Sequence, residues 1–388
     1  MFVKLNVVVS HPLSVVSHPL RSTNVMQISA QISQFHGVGI PFEVCEMPVV
    51  ATPDSILVRV SLSTICGSDF HTVSGRRGAE IPCILGHEIV GTVAAPTRLR
   101  SATGAALREG DRITWSLTTS CGRCDYCVNR DLPQKCETMF KYGHARSEGA
   151  GAFSGGFATH ILLRPGTAVY PIPDAMTDPE AVPINCALAT VVNGLMHIGT
   201  QAGETAVVHG AGMLGIYATC YLHKQGYEGI VVVDTNESRL EIARRFGATH
   251  TFNPEKTSVV EIDAAVKALT NGRGADLGVE VSGATIGIPH LITWLAVGGR
   301  CVTLGYVYPN ADITVDAHQL VTKCVTLRGI HNYHHTALGE SIRFVAENRS
   351  CYPFAELIGE TYQLAEINTA FEHAFRQDVL RVAIAPSL

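Results

Sequence analysis

The sequence predicts an α/β protein with two domains, a first one rich in β-strands and a second one built on a parallel sheet covered by helices on both faces. The chain has 388 residues, enough for two to three domains at roughly 150 residues each. Short apolar runs separated by Gly and Pro fill the stretch 27–164. After residue 203, apolar strands alternate with amphipathic helices, which is typical of a parallel sheet.

Each domain is predicted from particular elements. The first contains three strand candidates, at 55–60, 88–94 and 112–115. The sequence pattern changes near Pro173, where Asp178 followed by Pro179 predicts a helix capped by Asp178. The second domain contains predicted strands at 205–209, 230–234, 276–282 and 300–305, with helices at 213–225 and 238–246. The chain after about residue 330 is expected to rejoin the first domain.

Composition and charge exclude several classes of partner. Hydrophobic residues make up 46% of the chain and charged residues 16%, which excludes general disorder. With 29 basic and 34 acidic residues the net charge is −5, so no nucleic-acid partner is expected. The most apolar long run, 181–199, contains Pro183 and several polar side chains, so no membrane span is expected either.

The chain begins with a repeat, Val-Val-Ser-His-Pro-Leu, at 8–13 and again at 15–20. We expect residues 1–25 to form a disordered extension, because His-Pro steps cannot continue a regular helix. A secretory signal is the alternative. Against it, His11 and Pro12 interrupt the apolar run and no small-residue cleavage site follows.

Four of the twelve cysteines fall within 16 residues, at Cys121, Cys124, Cys127 and Cys136. Four thiolates suit tetrahedral zinc, and a site with four protein ligands leaves no position for water, which is typical of a structural site. Their glycine and polar neighbours indicate an exposed loop. An iron–sulfur cluster is the alternative. Thiols kept for metal indicate a reducing compartment, so we expect a cytoplasmic protein.

A glycine-rich loop follows the predicted strand 205–209 and opens the next helix. It contains the fingerprint Gly210, Ala211, Gly212, Met213, Leu214 and Gly215. The glycines permit a tight turn, a close approach to a pyrophosphate and close packing of helix on strand. Asp234 ends the next strand, where a carboxylate hydrogen-bonds the adenosine ribose and repels a 2′-phosphate. The loop therefore predicts NAD rather than NADP; an unrelated glycine turn is the alternative.

A second set of candidate ligands is scattered between strands. Cys66 and His87 are candidate ligands of an open catalytic metal site, and Asp69 is placed to orient His87 through its second ring nitrogen. Ser68 and His71 could pass a proton from a metal-bound alcohol to solvent. Singly these signals are weak, because a lone Cys or His is more often a packed residue.

Taken in order, four motifs give the chain a family resemblance. They are Cys66-Gly-Ser-Asp-x-His71, Gly86-His87-Glu88-x-x-Gly91, the four-cysteine lobe and the glycine fingerprint. From about Phe42 to the C-terminus the chain resembles a zinc-dependent alcohol dehydrogenase of the medium-chain dehydrogenase/reductase superfamily. The resemblance implies a GroES-like β-barrel catalytic domain at 26–185 with its zinc lobe at about 118–140, a Rossmann domain at 186–329 and a return to the catalytic domain at 330–388.

The resemblance also implies further site residues. Cys186 resembles the third zinc ligand, and Thr190 would lie beneath the nicotinamide. Glu88 resembles a glutamate behind the zinc. Arg381 resembles an arginine that reaches the cofactor pyrophosphate, with a surface salt bridge as the alternative. Arg239 is also counted among the residues that bind the cofactor.

The activity implied is hydride transfer between a primary or secondary alcohol and NAD, giving an aldehyde or ketone, with two zinc ions per chain in a homodimer or homotetramer. A group of basic side chains favours an anionic substrate such as a phosphonate or carboxylate alcohol: Arg76, Arg77, Lys141 and His144. Their two segments also resemble a branch of the family associated with phosphonate catabolism. A solvated basic loop and a neutral polyol or simple secondary alcohol are the alternatives.

Two other functional classes compete with this interpretation. A zinc-free quinone or enoyl reductase of the same superfamily would lack the metal ligands, and all three candidates are present. A non-enzymatic binding protein on the same fold would be expected to lose its ligands or relay residues, and this chain keeps both.

Overall fold

The computed structural model describes residues 26–149 and 152–386, so the expectations for residues 1–25 lie outside the described part of the chain. Its mixed α/β architecture confirms the predicted fold class. The strands are β1 Met26–Gln34, β2 Glu43–Ala51, β3 Ile56–Thr64, β4 Glu88–Val93, β5 Arg112–Trp115, β6 His160–Leu163, β7 Val169–Pro171, β8 Thr205–His209, β9 Gly229–Val233, β10 His250–Phe252, β11 Ala275–Glu280, β12 Leu295–Thr303, β13 Thr326–Gly329, β14 Thr361–Tyr362 and β15 Ala383–Ile384.

The helices lie in the connections between these strands. They are α1 Gly67–Val73, α2 Asp125–Val128, α3 Asp178–Ala181, α4 Ala189–Ile198, α5 Met213–Lys224, α6 Glu237–Arg245, α7 Val259–Leu269, α8 Gly287–Trp294, α9 Ala317–Thr322, α10 Thr336–Asn348 and α11 Ile367–Arg376. A π-helical turn, Ile184–Leu188, leads directly into α4. The described part of the chain also contains short 3₁₀ turns at Pro133–Lys135, Phe354–Leu357 and Leu364–Glu366.

Six parallel strands form one sheet in the order β10-β9-β8-β11-β12-β13. Alternate residues of its central strands enter two different cores. Val208 and Val232 pack with α4 and α5 on one face, whereas Val207 and Val231 pack with α7 and α8 on the other. The strand order changes direction between β8 and β11, which is the position where doubly wound sheets bind dinucleotides. The sheet is a Rossmann fold.

Seven of the other strands form a second sheet in the order β14-β15-β3-β4-β5-β7, with β6 also paired to β3. The end of the chain returns to this sheet, because Ala383 of β15 pairs with Thr64 of β3. Strands β1 and β2 form a separate antiparallel hairpin. The catalytic-domain sheet is therefore assembled from both ends of the chain, with the parallel sheet inserted between them.

Most predicted elements lie within one or two residues of their observed bounds, but the predicted helix cap at Asp178 is wrong. Thr177 caps α3, because its hydroxyl accepts a hydrogen bond from the Glu180 amide at 3.4 Å. Asp178 is the first helical residue, and its carboxylate pairs with Arg112 instead. Both residues have side chains that can cap, so only the backbone geometry decides between them.

One helical stretch, Asp178–Ile198, is long and apolar enough by composition to cross a membrane, and 78% of its most apolar window is buried inside the protein. Its apolar side chains pack in the largest core, which accounts for the composition without a membrane.

Candidate active site and metal centres

Cys66, His87 and Cys186 meet at the base of a cleft between the two sheets. Their ligand atoms, two thiol sulfurs and an imidazole nitrogen, all lie within 4.8 Å of one another. Cys66 precedes α1 at the end of β3, and His87 precedes β4. Three segments that are far apart in the sequence therefore provide one set of donors, Cys66, His87 and Cys186, here named the catalytic cluster.

Cys186 reaches the catalytic cluster on the π-helical turn Ile184–Leu188, a rare conformation that is frequent at functional sites. The buried side chain of Asn185 fixes this turn to the neighbouring strands. Its amide donates to the carbonyl oxygens of His87 at 3.0 Å and Trp115 at 3.2 Å. The Tyr333 hydroxyl donates to the Asn185 carbonyl. The position of Cys186 is thus set by its neighbours in the fold.

Asp69 and Ser68 both contact His87. Asp69 is buried, and its Oδ1 lies 3.4 Å from His87 Nδ1 while its Oδ2 accepts the Cys66 backbone amide at 2.8 Å. Ser68 Oγ lies 3.0 Å from the other ring nitrogen, Nε2. A carboxylate on Nδ1 turns Nε2 toward the cluster, which is how residues behind a metal ligand orient an imidazole.

Glu88 and Arg381 form a buried ion pair behind the catalytic cluster. Arg381 donates through Nε at 2.7 Å and Nη2 at 2.9 Å to the two Glu88 oxygens, and Nη2 also lies 3.5 Å from Cys66 Sγ. Burial raises the pKa of Glu88 to about 7 although Arg381 opposes this shift. The alternative of a surface salt bridge for Arg381 is wrong, because the residue is 7% exposed.

The four lobe cysteines also converge, with all four sulfurs within 4.8 Å of one another. Cys124 Sγ lies 3.5 Å from Cys127 Sγ and 3.9 Å from Cys136 Sγ. Tetrahedral zinc with Zn–S distances of about 2.3 Å separates its sulfurs by about 3.8 Å. All twelve cysteines are free thiols, so the four sulfurs are available as ligands and fit the expected ion.

Backbone amides of the lobe donate hydrogen bonds to cysteine sulfurs, which stabilises the thiolate form. The amides of Arg123 and Cys124 point at Cys121 Sγ from 3.5 and 3.3 Å, and these hydrogen bonds lower the pKa of Cys121 to about 6. The Cys121 amide points in turn at Cys136 Sγ, at 3.2 Å. Thiolate is the form that binds metal, so the loop backbone favours the ligand state.

The glycine loop connects β8 to α5 at the switch point of the parallel sheet. A Cβ on Gly215 would lie 1.8 Å from the Gly210 carbonyl oxygen, so close packing excludes any side chain there. A Cβ on Gly212 would meet nothing within 4 Å, so this backbone faces open space. The Asp234 carboxylate accepts the Ala211 amide at 2.6 Å beside the loop. This arrangement fits a dinucleotide pyrophosphate and ribose.

One cleft of about 640 Å³ joins the catalytic cluster to the glycine loop. Its lining includes most of the predicted site residues: Cys66, Ser68, His71, His87, Cys186, Thr190, Gly212, Met213, Leu214, Arg239 and Arg381. Asp69 and Glu88 lie behind the catalytic cluster, whereas Asp234, Gly210 and Gly215 support the loop from outside the cleft lining. The four-cysteine lobe is a separate centre.

The charged side chains that line the cleft are all basic. Five basic side chains line it: Arg76, Arg77, Lys141, Arg239 and Arg381. Within residues 26–149 and 152–386, no aspartate or glutamate lines the cleft. Burial, followed by the charge of Arg77, lowers the pKa of Lys141 to about 8.

Sequence reasoning missed two residues of this wall, His331 and Asn332, which follow β13 by two and three residues. No local motif marks either residue. The only available signal was their position just after a strand of the parallel sheet, where ligand-binding loops occur.

A cleft with a dinucleotide loop on one side and an open set of Cys, His and Cys donors on the other defines a nucleotide-linked, metal-binding oxidoreductase. Residues 52–174 match the alcohol dehydrogenase GroES-like domain, and residues 214–347 match the zinc-binding dehydrogenase domain. The chain is 31% identical to 5-exo-hydroxycamphor dehydrogenase of Pseudomonas putida over 336 residues. The aligned region covers 85% of this chain and 91% of that protein.

Two further similarities extend the comparison. Sorbitol dehydrogenase of Bacillus subtilis is 27% identical over 340 residues, or 86% of this chain and 91% of that protein. The crystal structure of an alcohol dehydrogenase from Thermotoga maritima matches with a TM-score of 0.88 at 28% identity, covering 93% of this chain and 100% of the other.

The chain belongs to the zinc-binding alcohol dehydrogenases of the medium-chain dehydrogenase/reductase superfamily. The predicted family and the GroES-like and Rossmann folds are thereby confirmed, and the protein is a dehydrogenase of small-molecule alcohols. The names of the two curated relatives give different substrates, hydroxycamphor and sorbitol, so these relatives do not define the substrate of this chain.

Proposed function

We propose that the protein is an NAD-linked, zinc-dependent dehydrogenase that oxidises a primary or secondary alcohol carrying an anionic group, such as a phosphonate or a carboxylate. The observation that supports the anionic group is the charge of the cleft. Arg76, Arg77 and Lys141 line it, and none of the three has an ion-pair partner in the described part of the chain. Charge-assisted hydrogen bonds to an oxyanion would satisfy them.

In this mechanism Cys66, His87 and Cys186 would hold the catalytic zinc, and the four lobe cysteines a structural zinc. Bound at the catalytic cluster, zinc supplies a Lewis acid that lowers the pKa of an alcohol hydroxyl. Asp69 holds His87 in the orientation that points Nε2 at the cluster. Glu88 and Arg381 close the cluster from behind and keep water out of that side.

Ser68 and His71 carry the proton. Ser68 Oγ is at the cluster, 3.0 Å from His87 Nε2, where it can accept the proton of the substrate hydroxyl as its own hydroxyl proton passes on toward His71. Burial holds the pKa of His71 below its usual value, so the neutral imidazole can receive this proton near pH 7 and release it to solvent. Thr190 lines the cleft where the nicotinamide ring would lie, and NAD bound there would accept the hydride from the carbon that bears the hydroxyl. The products are a carbonyl compound, NADH and one proton.

The position of Asp234 supports NAD rather than NADP. Its carboxylate stands beside the glycine loop, where it can accept the ribose hydroxyls and would repel a 2′-phosphate. We expect Asp234→Ala to raise the KM for NAD about 10-fold or more and to relax discrimination against NADP, because a hydrogen bond to a charged group is lost. Unchanged cofactor kinetics would show that another residue recognises the ribose.

The substrate proposal is tested by NADH formation with matched alcohols. Hydroxyalkylphosphonates, polyols and simple alcohols of equal chain length are compared with NAD and with NADP. We expect kcat/KM for the phosphonate alcohols to exceed that for neutral alcohols by about 30-fold or more, as charge-assisted contacts would provide. Preference for a neutral polyol or simple alcohol would overturn the anionic proposal and leave the dehydrogenase assignment intact.

We also propose an oligomer, either a dimer or a tetramer. The edge strand β13 supports this, since all four of its residues are exposed and its outer backbone edge has no strand partner among the described residues. A molar mass by light scattering equal to that of one chain would exclude it.

A cytoplasmic location is the last part of the proposal, and the twelve free thiols support it. Fractionation of cells that express the tagged protein would test it. Recovery with secreted material would contradict it.

A further inference from the structure

Beside the catalytic cluster, one wall of the cleft is formed by nitrogen-bearing side chains. They are Lys141, His144, His331 and Asn332. The ring of His144 lies 5.1 Å from the ring of His87, centroid to centroid, so this wall begins directly next to a zinc-ligand candidate. Lys141 lies three residues before His144, and His331 and Asn332 line the same cleft.

Two nitrogens of this wall are buried and have no hydrogen-bond partner within residues 26–149 and 152–386: His144 Nε2 and Asn332 Nδ2. Asn332 is 8% exposed, and its amide nitrogen can only donate. Buried polar groups are nearly always paired. A buried donor that borders a cavity is therefore paired by whatever fills the cavity.

Lys135 determines which ring nitrogen of His331 can donate a hydrogen bond. Its Nζ lies 2.5 Å from His331 Nδ1. A lysine ammonium can only donate, so His331 Nδ1 accepts and the imidazole carries its proton on Nε2. Lys135 has no carboxylate partner in the structure as described, and neither has Arg77 nearby. The wall is thus rich in donors and positive charge, and among the described residues it holds no acidic acceptor.

The backbone that carries Asn332 is anchored. Tyr333 OH contacts the Leu117 amide at 3.2 Å and the Asn185 carbonyl, which belongs to the turn of Cys186. Asn193 of α4 contacts the Asn332 carbonyl at 3.5 Å and the His334 amide at 3.2 Å. The donors of the wall are consequently held at a fixed distance from the catalytic cluster, which is a requirement for a specific binding site.

We infer that Lys141, His144, His331 and Asn332 form a subsite for the phosphonate- or phosphate-type oxyanion of the substrate, adjacent to the carbon that is oxidised. This inference rests on the proposed function and specifies it. Because the subsite borders His87, the substrate is a short one, with a spacer of about one or two carbons between the carbinol and the phosphorus. Alcohols with a longer spacer would carry the oxyanion past these donors.

The decisive variant is Asn332→Asp in the zinc-loaded enzyme with NAD. The change keeps the side-chain shape but replaces the donor by a negative oxygen. Asparagine and aspartate also share tolerance for the left-handed backbone of this residue, whose φ is 58°. We expect the KM for a two-carbon hydroxyalkylphosphonate to rise about 30-fold or more, and the ratio of its kcat/KM to that of the neutral alcohol of equal length to fall about 10-fold or more.

The chain offers a matched control in Asn310→Asp. Asn310 has a φ of 62°, is exposed and lies outside the cleft lining, so this variant makes the same chemical change in the same backbone conformation. Its KM for the phosphonate should equal that of the unmodified enzyme. Lys141→Met, which keeps the length of the side chain and removes its charge, should raise the KM in the same direction as Asn332→Asp.

Binding of methylphosphonate to the holoenzyme, measured by calorimetry, separates the two proposals because it needs no turnover. Binding that Asn332→Asp abolishes and Asn310→Asp retains supports the subsite, even if neutral alcohols prove to be the better substrates. If phosphonate alcohols are preferred but neither Asn332→Asp nor Lys141→Met changes their KM, the subsite is overturned and the anionic function stands. If methylphosphonate does not bind, the subsite is also overturned.

Discussion

The four-cysteine lobe and the catalytic cluster gather metal ligands in opposite ways. The lobe takes four thiols from one loop of 16 residues, at Cys121, Cys124, Cys127 and Cys136, and most of them are partly exposed. The catalytic cluster takes three donors from Cys66, His87 and Cys186, separated by 20 and 98 residues and set at the base of a cleft. A closed set of four suits a structural ion, and an open set of three leaves a position for substrate.

The surroundings of the two centres differ as well. Backbone amides supply the contacts to sulfur in the lobe, so its local environment is also contained in one loop. The catalytic cluster depends on side chains from elsewhere in the fold, namely Asp69, Asn185 and the Glu88–Arg381 pair. We therefore expect damage to the lobe to lower stability, and damage around the catalytic cluster to lower turnover.

The largest effect is expected for Cys186→Ala, which removes one of the three open-site donors. We expect kcat/KM to fall about 1000-fold or more, since the electrophile that polarises the hydroxyl is lost. NADH binding, measured by fluorescence, should stay unchanged because the glycine loop is untouched. Retained turnover in this variant would show that Cys186 is not a ligand.

Cys124→Ser tests the other half of the comparison. We expect the zinc content to fall by about one ion per chain and the thermal midpoint to fall by about 5 °C or more, because metal binding contributes directly to the stability of such a loop. The kcat of the enzyme that remains folded at 25 °C should change less than about 10-fold. A loss of activity as deep as that of Cys186→Ala, at an unchanged midpoint, would reverse the roles assigned to the two centres.

Asp69→Asn separates positioning from ligation at the catalytic cluster. The amide oxygen can still accept the Cys66 amide, but the charge facing His87 Nδ1 is lost. We expect zinc affinity and kcat/KM to fall about 10- to 100-fold, as for other partners of metal-bound histidine. Asp125→Asn is the matched control in the lobe, where the carboxylate pairs with Asn129 and Arg130 and contacts no cysteine. It should leave both quantities unchanged.

The smallest effect is a pH dependence that belongs to the basic wall. Burial, followed by the charges of Arg77 and Lys135, lowers the pKa of Lys141 to about 8, and the thiolates of Cys186 and Cys66 oppose this shift. Lysine is a cation below its pKa, so the positive charge is present at pH 7 and is lost as the pH rises through 8. We expect the KM for a phosphonate alcohol to rise about 3- to 10-fold between pH 7 and 9, beyond any change for the neutral alcohol. An identical pH profile for both substrates would exclude Lys141 from the contact.

Local sequence predicted the lobe, the glycine loop and the elements of the parallel sheet closely. The observed β5, Arg112–Trp115, and β8, Thr205–His209, have their predicted bounds, because hydrophobic pattern and flanking turn residues determine both. The β1–β2 hairpin was not predicted, because Met26–Gln34 and Glu43–Ala51 alternate only weakly in burial and pair across an irregular loop. The predicted cap of α3 was wrong because two adjacent residues, Thr177 and Asp178, both have side chains that can cap a helix.

By itself, the sequence determined which residues could bind metal and dinucleotide. Cysteine spacing and the glycine fingerprint are local patterns, and each requires only a short stretch of chain to form. Only the tertiary structure decided that Cys186 joins Cys66 and His87, that Arg381 is buried against Glu88, and that His331 and Asn332 stand beside them. These contacts join residues that are far apart in the chain, so their distances depend on how the two sheets pack and on the π-helical turn between them. No local pattern encodes that packing.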